Sequence, residues 1–128
     1  MICEEAIVYM LANDDGVKAI TTRIYPEIIP QNPTCPLITY QRVSGFRDSV
    51  LSGPSGFAHP RMQVDAYAET YAGAKELAGA IRGALNGKTY SEDGIKVASI
   101  VMVTDRDLYE DGIKCYRVSA DYMIWHTE

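Results

Sequence analysis

Residues 61–69 alternate without a break: Met62, Val64, Ala66 and Ala68 fall on one side, and Arg61, Gln63, Asp65, Tyr67 and Glu69 on the other. A sustained period of two reads as a β-strand with one buried face. At Thr70 the period changes to that of a helix, with Ala74, Leu77, Ala78, Ile81 and Leu85 on one stripe. Thr70 is suited to cap the helix by accepting from an unpaired backbone N–H, and Gly87 stands where a left-handed residue would end it. A strand that passes directly into an alanine-rich helix constrains the chain strongly. The helix has to pack back on the sheet its strand has just joined, and its small side chains let it lie close.

The remaining segments arrange themselves around that unit. Cys3, Ala6, Ile7, Met10 and Leu11 share a helical face, Glu4 and Glu5 favour the positive N-terminal end, and residues 13–16 (Asn-Asp-Asp-Gly) end the helix. Residues 17–24 read as a brief helical turn and then a short extended piece. Residues 25–36 hold four prolines in twelve positions, which makes a stiff, extended connection. Leu37–Val43 is a strand by its β-branched and aromatic content. Ser44–Pro60, with three glycines and two prolines, reads as a long loop, of the kind that is functional or disordered. Ile95–Thr104 is a third strand, Asp105–Gly112 an acidic turn, and Lys114–Trp125 a fourth strand. The order α-β-β-α-β-β predicts one α+β domain over residues 1–128: a single, mostly antiparallel four-stranded sheet with two helices on one face. No repeat or linker divides the chain.

The strands carry more apolar surface than such a layout can cover. Ile95, Val97, Val101 and Val103 alternate with Ala98, Ile100 and Met102, so both faces of the third strand are apolar, as are both faces of Tyr122–Trp125. Two short helices cover one face of a sheet. The other face is therefore expected to meet another subunit or partner, through Ile100, Met102, Met123 and Trp125 among others.

Composition excludes several classes. Apolar residues make up 47% and charged residues 23%, which is ordinary for a globular protein and too apolar for a disordered one. No apolar run approaches the ~20 residues needed to cross a bilayer, so no membrane association is expected. The acidic opening residues do not read as a secretory leader. The net charge is −5, with five basic and six acidic side chains in residues 1–64 and seven and eleven in residues 65–128. Without a basic stripe, tight wrapping of nucleic acid is not expected. Cys3, Cys35 and Cys115 are odd in number and widely spaced, which predicts free thiols and no zinc site.

Chemistry is equally thinly signalled. His59 sits beside Pro60 and His126 lies third from the end; both are expected at the surface, with no nucleophile motif to serve. Asp14-Asp15, Glu92-Asp93 and Glu110-Asp111 each precede glycine, as turn residues do. The segment beginning at Asp105 lacks the glycine and the bidentate glutamate of a calcium loop. Gly53–Gly56 has no lysine and opens no helix, so it is no phosphate cradle. No catalytic residue, cofactor or metal ligand is expected. The nine tyrosines are expected in the core or at interfaces.

The motifs in combination carry a resemblance. Residues 23–26 (Arg-Ile-Tyr-Pro), then Pro30-Gln31, then 35–45 (Cys-Pro-Leu-Ile-Thr-Tyr-Gln-Arg-Val-Ser-Gly) resemble the opening of the siphophage tail-completion proteins, also called tail terminators or tail-to-head joining proteins. Residues 60–68, Ala74–Ala78 and Ile81–Leu85 continue it, with an Arg-x-Gln-Val-Asp strand leading into an alanine-rich helix that ends in Arg-x-Ala-Leu. The resemblance spans residues 5 to 125. It implies a non-enzymatic structural protein of the virion tail or neck, present in host cytoplasm during assembly. It further implies a homo-oligomeric ring, usually a hexamer, that caps the tail tube, ends its polymerisation and joins the tail to the head connector. The partners implied are copies of the chain, the major tail tube protein and the connector, with DNA passing through the lumen without specific binding. On this view the 45–60 segment is a projecting loop that carries Phe46, Arg47, Asp48, Val50, Leu51 and Phe57 to a neighbour or to the tube.

A second reading from another class is a small ferredoxin-like α+β enzyme or ligand-binding dimer. It needs polar groups such as Tyr40, Arg42 and Asp65 to converge on a pocket over the sheet. A head-side connector component is a further possibility, though the motifs fit the tail side better.

Overall fold

In a computed structural model of the chain, residues 3–27, 34–44, 47–50, 53–58, 60–92 and 95–127 are described. Three helices, α1 (Cys3–Ala12), α2 (Asp15–Lys18) and α3 (Tyr71–Leu85), accompany eight strands. The strands are β1 (Ile24–Pro26), β2 (Leu37–Ser44), β3 (Arg47–Val50), β4 (Gly53–Ala58), β5 (Arg61–Ala68), β6 (Tyr90–Glu92), β7 (Ile95–Glu110) and β8 (Cys115–Thr127). Six of them lie side by side as β1-β2-β5-β8-β7-β6 in a mixed, curled sheet. β1 runs parallel to β2, and the other pairs are antiparallel. The α+β class is as the sequence predicts, but the sheet has more than four strands and a third short helix joins the other two.

The extra strands have local causes. The segment predicted as a loop from Ser44 to Pro60 is mostly paired: Arg47 opposes Ala58 and Val50 opposes Gly53. β3 and β4 therefore prolong the β2–β5 hairpin into an arm, whose β4 continues the line of β5 against the end of β8 through Phe57–Thr127 and Ala58–His126. The predicted acidic turn at 105–112 is strand as far as Glu110, because every residue from Thr104 onward finds a partner on β8. The chain reverses only at 111–114, where Lys114 takes a positive φ of 53°.

The helices share one face. Thr70 caps α3 by accepting from the N–H of Gly73 at 3.0 Å, and Gly87 is left-handed at φ 76°, both as predicted. Beyond the helix end, the N–H of Gly87 donates to the carbonyl of Ile100 at 2.8 Å, and the amide of Met102 donates to Asn86 Oδ1 at 2.9 Å. These bonds tie α3 to the edge of β7. Asp14 caps α2 through the amide of Val17 at 3.0 Å and turns Val17 into the core. In the main core, Ala6, Ile7 and Leu11 of α1 and Leu77, Ile81 and Leu85 of α3 meet Met62, Val64, Tyr122 and Ile124 of the sheet, and a smaller cluster of Ala68, Ala74 and Val118 lies beside it. Among the described residues no helix is long and apolar enough to cross a membrane.

Two sequence expectations about single residues change. Cys35 and Cys115 are joined as a disulfide across 80 residues of sequence, in place of free thiols. Spacing along the chain hides their proximity: Leu37 pairs with Tyr67 and Tyr67 with Arg117, so β2 and β8 begin at the same end of the sheet on either side of β5. His126 is buried at 6% exposure rather than at the surface, since β8 runs to Thr127 between β4 and β7. His59 lies outside the described residues.

Candidate interaction surfaces

The face of the sheet away from the helices is not uniformly apolar. A register shift between Val97 and Ser99 brings Val97 and Ile100 to the helix side together, at 1% and 0% exposure. The simple alternation expected along the third strand places Val97 with Val101, and the bulge separates them. Ile100 is thus enclosed by its own chain, and Met102 packs half-buried against the same core. On the helix-free face, Val101 opposes Met123 and Ser99 opposes Trp125. Val101 is 46% and Val103 48% exposed, while Met123 and Trp125 are half-buried. This apolar strip lies at the end of the sheet from which the arm projects.

The arm holds the other predicted contact residues. Arg47, Asp48 and Val50 are in β3 and Phe57 in β4; Phe46 and Leu51 fall outside the described residues. The structure thus brings the arm and the Met123–Trp125 strip to one end of the molecule, and takes Ile100 away into the core.

The centre of the helix-free face is polar, which alternation alone foreshadows but pairing explains. Cross-strand neighbours on this face include Thr39, Asp65, Ser119 and Arg106 in one row, and Gln41, Gln63, Asp121 and Thr104 in the next. Arg117 donates from Nε and Nη2 to Asp65 Oδ2 at 3.1 and 2.8 Å, and from Nη1 to Glu110. Gln63 donates to both oxygens of Asp65, and Arg61 closes on Asp121 at 2.9 Å. Asp65 and Asp121 are 4% and 5% exposed, so each carboxylate is buried with a guanidinium as its partner. Burial works against the charged form of Arg117, but Glu110 and Asp65 outweigh it and raise its pKa above the ordinary arginine value. Burial raises the Tyr67 phenol, and the Arg117 guanidinium, 5.7 Å from the ring, opposes that rise.

A cavity of about 290 Å³ opens beside this network, lined by Glu27, Thr39, Asp65, Tyr67, Glu110 and Arg117. It does not gather the residues a pocket enzyme was expected to use. Tyr40 pairs with Val64 and Arg42 with Met62, on the helix side, where Arg42 meets Glu4 at 3.3 Å. Asp65 is on the opposite face. A one-residue difference in strand parity separates them.

At the 111–114 end, on the helix side, three tyrosines cluster: Tyr71 and Tyr109 each make an edge contact with Tyr116, with ring centroids 5.9 and 5.0 Å apart. Tyr71 and Lys75 both donate to Asp107 at 2.7 Å. Exposures of 49%, 50% and 36% for Tyr71, Tyr109 and Tyr116 leave this cluster open to solvent. The sequence carried no periodic signal for it, because it assembles from the start of α3 and the far ends of β7 and β8.

The fold matches known structures. A chain described as part of the "Virion of native gene transfer agent (GTA) particle" superposes with a TM-score of 0.82 at 15% identity, covering 98% of this chain and 95% of that one. No curated protein matches the sequence. The family model for "Tail completion protein gp17" matches residues 5–127, a stretch that takes in the arm, both long hairpins and α3. With that match running across almost every element described above, the chain belongs to the tail completion protein gp17 family, and is a structural, non-enzymatic component of the tail of a phage-like virion.

Proposed function

We propose that copies of this chain close into a ring, a hexamer, on the end of a finished tail tube, stop its growth, and present the surface to which the head connector docks. The observation that carries this reading is the meeting, at one end of the sheet, of the projecting arm and the apolar strip around Val101, Met123 and Trp125. Exposed apolar side chains next to a projecting hairpin suit a contact between subunits. A head-to-tail contact closes into a ring only when its angle is fixed, and a paired arm sets an angle better than a mobile loop. Arg47, Asp48, Val50 and Phe57, with Phe46 and Leu51 nearby in sequence, are the arm's contact residues. Val101, Met123 and Trp125 belong to the receiving surface, while Met102 and Ile100 lie on the helix side of the same strand and support that surface from beneath. Net charge of −5 favours a lumen through which DNA slides without sticking. Likeness to a chain of a gene transfer agent virion supports an assembled setting.

The test is a polymerisation assay. Purified chain is added to growing tail-tube subunits, and tube length is followed over time. Growth should stop at substoichiometric amounts of chain relative to tube protein. Unchanged elongation would refute capping.

A further inference from the structure

β7 has an open edge. β6 covers it only at residues 95–97, and the Asn86–Gly87 turn reaches it at Ile100 and Met102. From Thr104 to Glu110, β7 pairs with β8 on one side, and among the described residues no backbone hydrogen bond reaches the other. Thr104 to Tyr109 are all exposed. Beside this edge α3 stands off the sheet and leaves a gap of about 180 Å³ over Met102, Val118, Ala120 and Tyr122. A strand added to β7 would turn alternate side chains toward that gap. A long unpaired edge is a template for strand addition unless its side chains select against it.

The side chains here select a partner. Asp105, Arg106 and Asp107 alternate in sign. Paired antiparallel with its own copy about Arg106, the segment sets arginine opposite arginine and Asp105 opposite Asp107; paired parallel in register, it sets each charge against itself. Like charges directly opposite oppose pairing. β3 is the outer strand of the arm, paired with β4 on one side, and carries Arg47 and Asp48 at consecutive positions. Centred on Asp48 opposite Arg106, a parallel register sets Arg47 against Asp105 and an antiparallel one sets it against Asp107. Both registers are complementary.

We propose that β3 of one copy adds to the 104–110 edge of β7 in the next, joining neighbouring sheets head to tail. This rests on the ring reading above and names its contact. Two different edges meet, so the contact is heterologous, as ring closure requires.

Cross-linking tests it. Asp48→Cys chains and Arg106→Cys chains, each also carrying Cys3→Ser, are mixed, assembled with tail tubes and oxidised. A disulfide-linked dimer containing one chain of each kind is expected, and none from either variant alone. Asp48→Arg should weaken assembly roughly tenfold while leaving thermal melting unchanged. Assembled oligomers that give no mixed dimer, or that form normally with Asp48→Arg, would overturn edge pairing and leave the ring standing. Wild-type chain that stays monomeric with and without tubes would overturn both.

Discussion

Arg117 and Asp65 face each other across β5 and β8 on the helix-free side of the sheet, with Nη2 and Oδ2 2.8 Å apart and the Asp65 side chain only 6% exposed. The pair lies within the polar rows that occupy the middle of this face. Removing Asp65 leaves a guanidinium half-withdrawn from water and Gln63 without its acceptor. Asp65→Ala should cost about 3 to 5 kcal/mol in unfolding free energy, measured by urea denaturation. Replacing both members of the pair with apolar residues of similar volume should recover much of that loss, since the desolvation of both charges is also removed.

Neighbouring residues of β7 should separate stability from assembly. Ile100 is fully buried and Val101 is 46% exposed. Ile100→Ala should destabilise the chain by about 2 to 5 kcal/mol through the cavity it leaves. Val101→Ser should change stability by less than about 0.5 kcal/mol, yet weaken assembly. Denaturation curves and sedimentation of the two variants side by side check this.

Much of the fold is legible in the sequence because its signals are periodic. Thr70, the alanine stripe of α3 and Gly87 act within a few residues and agree with the structure. The alternation at Arg61–Ala68 marks the strand, but not one buried face, because Gln63, Asp65 and Tyr67 on the other face are buried as well. What is not legible depends on pairing between distant segments. Ser44–Pro60 looks like a loop because glycine and proline weaken any strand signal, and only the register with β8 draws β4 into the sheet. Asp105–Glu110 is charged enough to read as a turn, but its pairing with Arg117–Ala120 and its neighbours extends the strand. The contact residues follow the same division. Val97 changes face through a single bulge, and Tyr71, Tyr109 and Tyr116 come together from three separate elements.

Alkaline pH should reveal a buried phenol. Burial pushes Tyr122 up from 10.0 to about 12; Asp105 adds to the rise and Arg82 opposes it. Below pH 10 both the folded and unfolded chains keep this proton and stability is full. Between pH 10 and about 12 the unfolded chain releases it while the folded chain holds it, so stability falls as pH rises through that window. The fall should amount to about 3 kcal/mol for this group. Tyr122→Phe should flatten the slope in denaturant unfolding across that range, leaving the smaller contributions of Tyr40 and Tyr67, which shift in the same direction.

Shortening the arm tests its role apart from the fold. Replacing residues 48–57 by a tight turn removes most of β3 and β4 but none of the core formed by α1, α3 and the six-stranded sheet. The shortened chain should melt cooperatively, close to the wild-type temperature, and should no longer arrest tube growth. A shortened chain that still caps would place the contact elsewhere.

The most direct measurement is negative-stain imaging of the wild-type chain mixed with purified tail tubes. A disc of fixed diameter should appear at one end of each tube, absent from tubes alone and from tubes mixed with the shortened-arm variant. Tubes with two bare ends at saturating protein, or protein scattered along their length, would contradict the account.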